Sequence, residues 1–180
     1  MKNLYSLVFI CFISMQLYSQ RTETWSNQIF QIDTLSAKLS YPWEITYGPD
    51  DSLWVTEARN YNVVKIHPHT GGKRTILSLA NKKINFNRPD KTGGQWPQGG
   101  LMGLAIHPQF NSGKPFVYLS YVYRFVNCQG GNNGCFFRTR IVRYTYNFIN
   151  GSLGNETIML DNLPGSNDHN SGRMAIGPDL

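Results

Sequence analysis

Apolar residues in this chain come in short runs broken by turn residues. Ile45–Tyr47, Leu53–Thr56, Val63–Ile66, Thr75–Leu79, Leu104–Ile106, Phe116–Tyr121, Tyr144–Tyr146 and Glu156–Leu160 mix β-branched, aromatic and aliphatic side chains. Glycine, proline, asparagine and aspartate gather between them, as in the His67–Gly72 stretch and in "NGSLGN". Such runs predict strands joined into antiparallel hairpins. Nowhere do apolar positions keep a helical period for three turns, so no amphipathic helix competes.

The pattern also repeats. "PWEITYGPDDSLWVTE", "LMGLAIHPQFNSGKPFVYLSYV" and "GRMAIGPDL" each start with a strand-like run, the third at Met174–Ile176. Each then reaches a turn at Pro49, Pro108 or Pro178. With the strands that follow, each unit holds about four, the mark of a β-propeller blade. A β-sandwich is the alternative, but it has no need of a recurring turn signature. The third unit stops after its first strand. Residues 21–180 therefore read as the N-terminal part of a longer all-β propeller, covering about two blades and the start of a third.

Residues 1–20 stand apart. A short basic head, "MKN", precedes the apolar "LYSLVFICFISMQLY", with small and polar residues near a cut after Ser19 or Gln20. This predicts a secretory signal peptide, shorter in its apolar run than a spanning helix. No second apolar span follows, so no membrane span is expected after cleavage, and a periplasmic or secreted protein is expected. Export favours disulfides. Cys128 and Cys135, in "CQGGNNGC", are then expected to pair across a flexible glycine-rich loop, whereas a zinc site there lacks ligands.

Composition narrows the class further. In 180 residues, 41% hydrophobic and 13% aromatic content excludes a disordered chain. The net charge of +6 is scattered rather than clustered, so a solvated basic surface is expected and nucleic acid is not an expected partner.

Propellers carry their sites at the channel mouth, on loops leading into the innermost strands. Here those loops are "TLSAKLSYPW", "DKTGGQWPQGG" and "LPGSNDHNSG". The second brings Gln95, Trp96 and Gln98, and the third brings Asn167, Asp168, His169 and Asn170. A histidine beside a carboxylate suits a general base, because its pKa lies near neutrality. A loop histidine that only bonds backbone is the other reading. His107 occupies a turn position that is glycine in the sister repeats, and His67 and His69 lie in an outer turn, so all three read as structural. A zinc site at "HPH" is a weaker alternative for the last two. Trp43 and Trp54 read as core. The triplets Asn150-Gly151-Ser152 and Asn155-Glu156-Thr157 match the glycosylation sequon but read first as turns.

"QGGLMGLAIHPQF", "RIVRYTYN", "LPGSNDHNSGRMAIGPDL" and "YPWEITYGPDDSLWVTEARNYNVVKIHPHTG" together resemble the soluble quinoprotein glucose dehydrogenases and the wider glucose/sorbosone dehydrogenase group. The resemblance implies a six-bladed propeller that binds pyrroloquinoline quinone (PQQ) with calcium, and oxidation of an aldose at its anomeric carbon to the lactone. It implies that His169 takes the hydroxyl proton, that Asp168 orients the imidazole, and that Gln98 contacts sugar and cofactor. An electron acceptor is a further implied partner. The chain departs from the family at Gly99, commonly asparagine, and in the cysteine loop, which looks like an insertion. The family's calcium ligands and quinone-gripping cations fall in later blades, so these 180 residues alone are expected to be inactive. Two other readings remain. One is a calcium-dependent lactonase or esterase using Glu44 and Asn170, and the other is a propeller that binds glycans or proteins without catalysis.

Overall fold

The computed structural model describes residues 21–35, 38–83, 99–125, 137–166 and 169–179. The chain divides into two units, residues 1–34 and 35–180.

In the first unit, β1 (Arg21–Trp25) and β2 (Gln28–Ile32) form an antiparallel hairpin. Its turn, Ser26 and Asn27, has φ of 48° and 61°. Two consecutive left-handed residues match the right-handed twist of the flanking strands. This hairpin is hard to read from the residues alone, because its turn lacks glycine and its strands bury nothing.

The second unit holds two four-stranded antiparallel sheets, each in simple up-and-down order. The first contains β3 (Pro42–Tyr47), β4 (Leu53–Glu57), β5 (Asn62–Ile66) and β6 (Lys73–Ser78). A single 3-10 turn follows at Ala80–Lys82. The second contains β7 (Leu101–Ile106), β8 (Phe116–Arg124), β9 (Phe137–Asn147) and β10 (Ser152–Pro164). The sheets stack with first strand against first strand, β3 on β7, and last against last, β6 on β10. That is the arrangement of adjacent propeller blades: the chain is an all-β, partial β-propeller.

Strand alternation explains what each face buries. On β4, Trp54 and Thr56 face the second sheet, while Val55 packs with Val64 and Ile66 on the opposite face. Trp54 is fully buried and meets Phe110 edge-on at 5.8 Å and Tyr146 at 5.4 Å. Aromatic pairs of this kind add about 0.5–1.5 kcal/mol beyond the area they bury. Leu101, Leu104, Leu119 and Tyr121 complete the core between the sheets.

A polar knot closes the outer side of that core. Asp50 accepts from the Trp54 indole at 2.9 Å and is paired with Lys65, which also reaches Tyr146 of the second sheet at 3.2 Å. Burial pushes the Asp50 carboxyl up, but the Lys65 and Trp54 hydrogen bonds outweigh it and leave it below its usual value.

Three expectations need correction. Met174–Ile176 is paired in no ladder among the described residues, which run to Asp179. Trp43 is 40% exposed rather than core. The β9–β10 hairpin turns at residues 148–151, with Ser152 already paired to Asn147, so "SLGN" belongs to the return strand. The Asn150 side chain accepts from the Ser152 amide at 3.1 Å, so turn chemistry is its observed role. Among the described residues no helix is long and apolar enough to cross a membrane.

Candidate functional site

The inner ends of three segments converge: the start of β3, the start of β7, and residues 169–173. Each approach to this mouth is pinned by a different device. Before β3, Glu57, 2% exposed, accepts from the Ser40 amide at 3.2 Å, from Asn62 at 3.1 Å and from Lys73 at 3.1 Å. Burial pushes its carboxyl up, yet these bonds prevail and hold it below the ordinary range. Before β7, the Leu101 amide donates to the Ala58 carbonyl at 3.2 Å. Gly100 stands beside it at a φ of 107°, where a Cβ would come within 2.1 Å of the Ala58 oxygen. Only glycine fits both that backbone and that approach.

The third segment is held by a hydroxyl. Ser120, on β8 and 2% exposed, accepts from the Gly103 amide and donates to the Gly172 carbonyl, both at 2.9 Å. Nearby, the Asn170 carboxamide accepts from the Ser166 amide at 2.8 Å and donates to the Ser166 carbonyl at 2.7 Å. His169 lies between these anchors, exposed, with a left-handed φ of 54°. One step further in, Arg173 comes within 3.9 Å of the Glu44 carboxylate. Glu44 is nearly buried, while the Arg173 side chain is 87% exposed.

Of the residues singled out from sequence, His169 is exposed. Asp168, Gln98, Gln95, Trp96, Asn167, Cys128 and Cys135 lie outside the described residues. The remaining histidines are explained by local structure. His107 is 7% exposed and its Nδ1 accepts from the Gln109 amide at 3.0 Å. Burial, then the Lys114 charge, lowers its pKa. The His67 ring accepts from the amides of His69 and Thr70 in the outer turn. Among the described residues no group of three or more acidic, histidine or cysteine side chains gathers as a metal site.

Sequence reasoning overlooked Ser120, Thr56 and the backbone-clamping role of Asn170. A weak signal for the first two exists: each is a lone small hydroxyl inside an apolar strand, in "LWVTE" and "VYLSYV".

The fold agrees with comparisons to known proteins. Residues 39–180 match the family model for glucose/sorbosone dehydrogenases. Over 150 residues the chain is 31% identical to quinoprotein glucose dehydrogenase B of Acinetobacter calcoaceticus, covering 83% of this chain and 29% of that protein. A PQQ-bound aldose sugar dehydrogenase of Streptomyces coelicolor shares the fold, with TM-score 0.59 and 24% identity over 82% of this chain and 38% of that one. A putative oxidoreductase (glucose dehydrogenase) of Thermus thermophilus aligns with TM-score 0.52 and 25% identity over 78% of this chain and 35% of its own length. The chain thus spans under a third of the curated relative and little more than a third of these structures. By the extent of the family match, the chain belongs to the glucose/sorbosone dehydrogenase family.

Proposed function

We propose that the full-length protein carrying this sequence is a PQQ-dependent dehydrogenase that oxidises an aldose at its anomeric carbon to the lactone. The observation that carries this reading is an exposed histidine in a left-handed backbone, three residues before the glycine that Ser120 holds, inside the family match. The exposed His169 offers a base to a sugar hydroxyl, and the cations that would hold the quinone are expected in blades beyond these residues. When bound, the quinone supplies the two-electron acceptor for the hydride. His169 takes the anomeric hydroxyl proton as C1 loses its hydride, so that positive charge does not build on that carbon. Asp168, next in the chain, orients and polarises the imidazole. Gln98 binds the sugar. The reading includes calcium with the quinone, ligated in blades beyond these residues, and a leader over residues 1–20 that sends the protein to the periplasm or outside the cell. The isolated 180 residues are then inactive. The hydrolase alternative loses support at Asn170, whose carboxamide is committed to the Ser166 backbone.

The test is reconstitution of the full-length protein with PQQ and calcium, followed by aldose-dependent reduction of a dye. His169→Gln should lower kcat by roughly a hundredfold to ten-thousandfold, the span associated with a general base. Dye reduction untouched by His169→Gln removes the histidine from this role. Lactone hydrolysis without quinone would establish the hydrolase instead.

A further inference from the structure

His169 is neither glycine nor asparagine, yet it holds φ of 54°. For a side chain with a Cβ this conformation costs on the order of 1–2 kcal/mol, and it persists only where neighbours over-determine it. Two neighbours do so. On one side, both polar atoms of the Asn170 carboxamide engage Ser166, closing the turn that contains residue 169. On the other side, the buried Ser120 hydroxyl ties Gly172 to β7. The backbones meet so closely there that a Cβ on Gly103 would fall 1.7 Å from the Gly172 oxygen, and one on Gly172 would fall 2.5 Å from the Met102 Cβ.

We propose that Asn170 and Ser120 are positioning residues that set where the His169 imidazole stands, Asn170 by closing the turn around it and Ser120 by pinning the segment that follows. This rests on the reading of His169 as the base, but the hold itself does not. The carboxamide ties Asn170, next to the left-handed residue, to the backbone of Ser166, so the direction in which the chain presents the ring is constrained before substrate arrives. Preorganisation of this kind matters because a displacement of about 1 Å at a reacting group can cost on the order of a hundredfold in rate.

The test uses the full-length protein with its histidine rings isotopically labelled, and compares Asn170→Ala, Asn170→Asp, Ser120→Ala and Ser120→Thr. A urea titration of each variant first establishes that it is folded. The His169 ring resonance, assigned by its loss in His169→Gln, is followed against pH without sugar or quinone. In Asn170→Ala and Ser120→Ala we expect it to broaden or split. Asn170→Asp keeps the acceptor for the Ser166 amide and should lie between wild type and Asn170→Ala. Ser120→Thr restores the hydroxyl, as Thr56 supplies one in the first blade, and should restore the signal. In the loaded enzyme, kcat should fall on the order of a hundredfold with KM nearly unchanged. An unchanged ring signal in both alanine variants overturns the proposal whatever the activity does. A changed signal with full activity in His169→Gln supports the positioning role and overturns the base.

Discussion

The junction between the first blade and the second and the junction between the second blade and the third segment use one device with different surroundings. At the first, Thr56 on β4 accepts from the Glu44 amide at 3.1 Å and donates to the Met102 carbonyl at 2.6 Å. At the second, Ser120 on β8 accepts from Gly103 and donates to Gly172. When the three proline turns are aligned, Trp43, Met102 and Gly172 coincide, as do Glu44, Gly103 and Arg173. The hydroxyl of a blade's second strand thus bonds its own first strand and then the next unit's first segment. What differs is crowding. At the first junction both bonded positions carry side chains, and β7 is held by its own sheet. At the second both are glycine. With glycine at both bonded positions the backbones approach more closely, so this junction should be the less tolerant of an added side-chain atom.

The largest effect expected from that comparison is at Gly103. A Cβ there overlaps a carbonyl rather than a flexible side chain, so the third segment must move. Gly103→Ala should destabilise by about 3 kcal/mol, the upper end for overpacking of a close-packed site. The matching change at the first junction, Glu44→Ala, removes atoms instead of adding them and should cost less. Urea midpoints of the two full-length variants measure the difference, and equal midpoints would mean that the junctions are equally tolerant.

A smaller effect is expected from Thr56→Val, which keeps the shape but removes the hydroxyl. It leaves the Glu44 amide and the Met102 carbonyl without their partner in a buried site, at about 1–3 kcal/mol. Thr56→Ser retains the bonds and should stay within about 1 kcal/mol of wild type. If Val and Ser behave alike, the link is incidental and the likeness of the two junctions has no energetic content.

The eight blade strands were legible in the sequence because each alternates or runs apolar between turn residues, and the repeat fixed their grouping. The third echo looked like a strand for the same reason, but a strand exists only against a partner, and Met174–Ile176 finds none among the described residues. Trp43 and Trp54 illustrate a similar limit. Composition marks both as core, yet the first is 40% exposed and the second fully buried. At the site, His169 was legible from its neighbours and from family resemblance. Ser120 was not, because a serine in a strand carries no mark of the backbone carbonyl that it meets 52 positions away.

The smallest effect concerns pH and again separates the junctions. The first is bordered by two carboxylates, Asp50 and Glu57, both held below their usual pKa by the hydrogen bonds described above. A carboxyl whose folded pKa is depressed adds stability above its unfolded value, near 4, and loses it as pH falls through the folded value. The Ser120 hydroxyl, by contrast, bonds to backbone groups at Gly103 and Gly172, which do not titrate in this range. Stability should therefore fall below about pH 4, and Asp50→Asn should flatten part of that acid limb while lowering stability at neutral pH. The Ser120→Ala variant should lose a similar amount at about pH 7 and about pH 4. Urea midpoints taken across this range for both variants decide it: parallel acid limbs in Asp50→Asn and wild type would show that the Lys65–Asp50–Trp54 knot does not carry the pH dependence of the first junction.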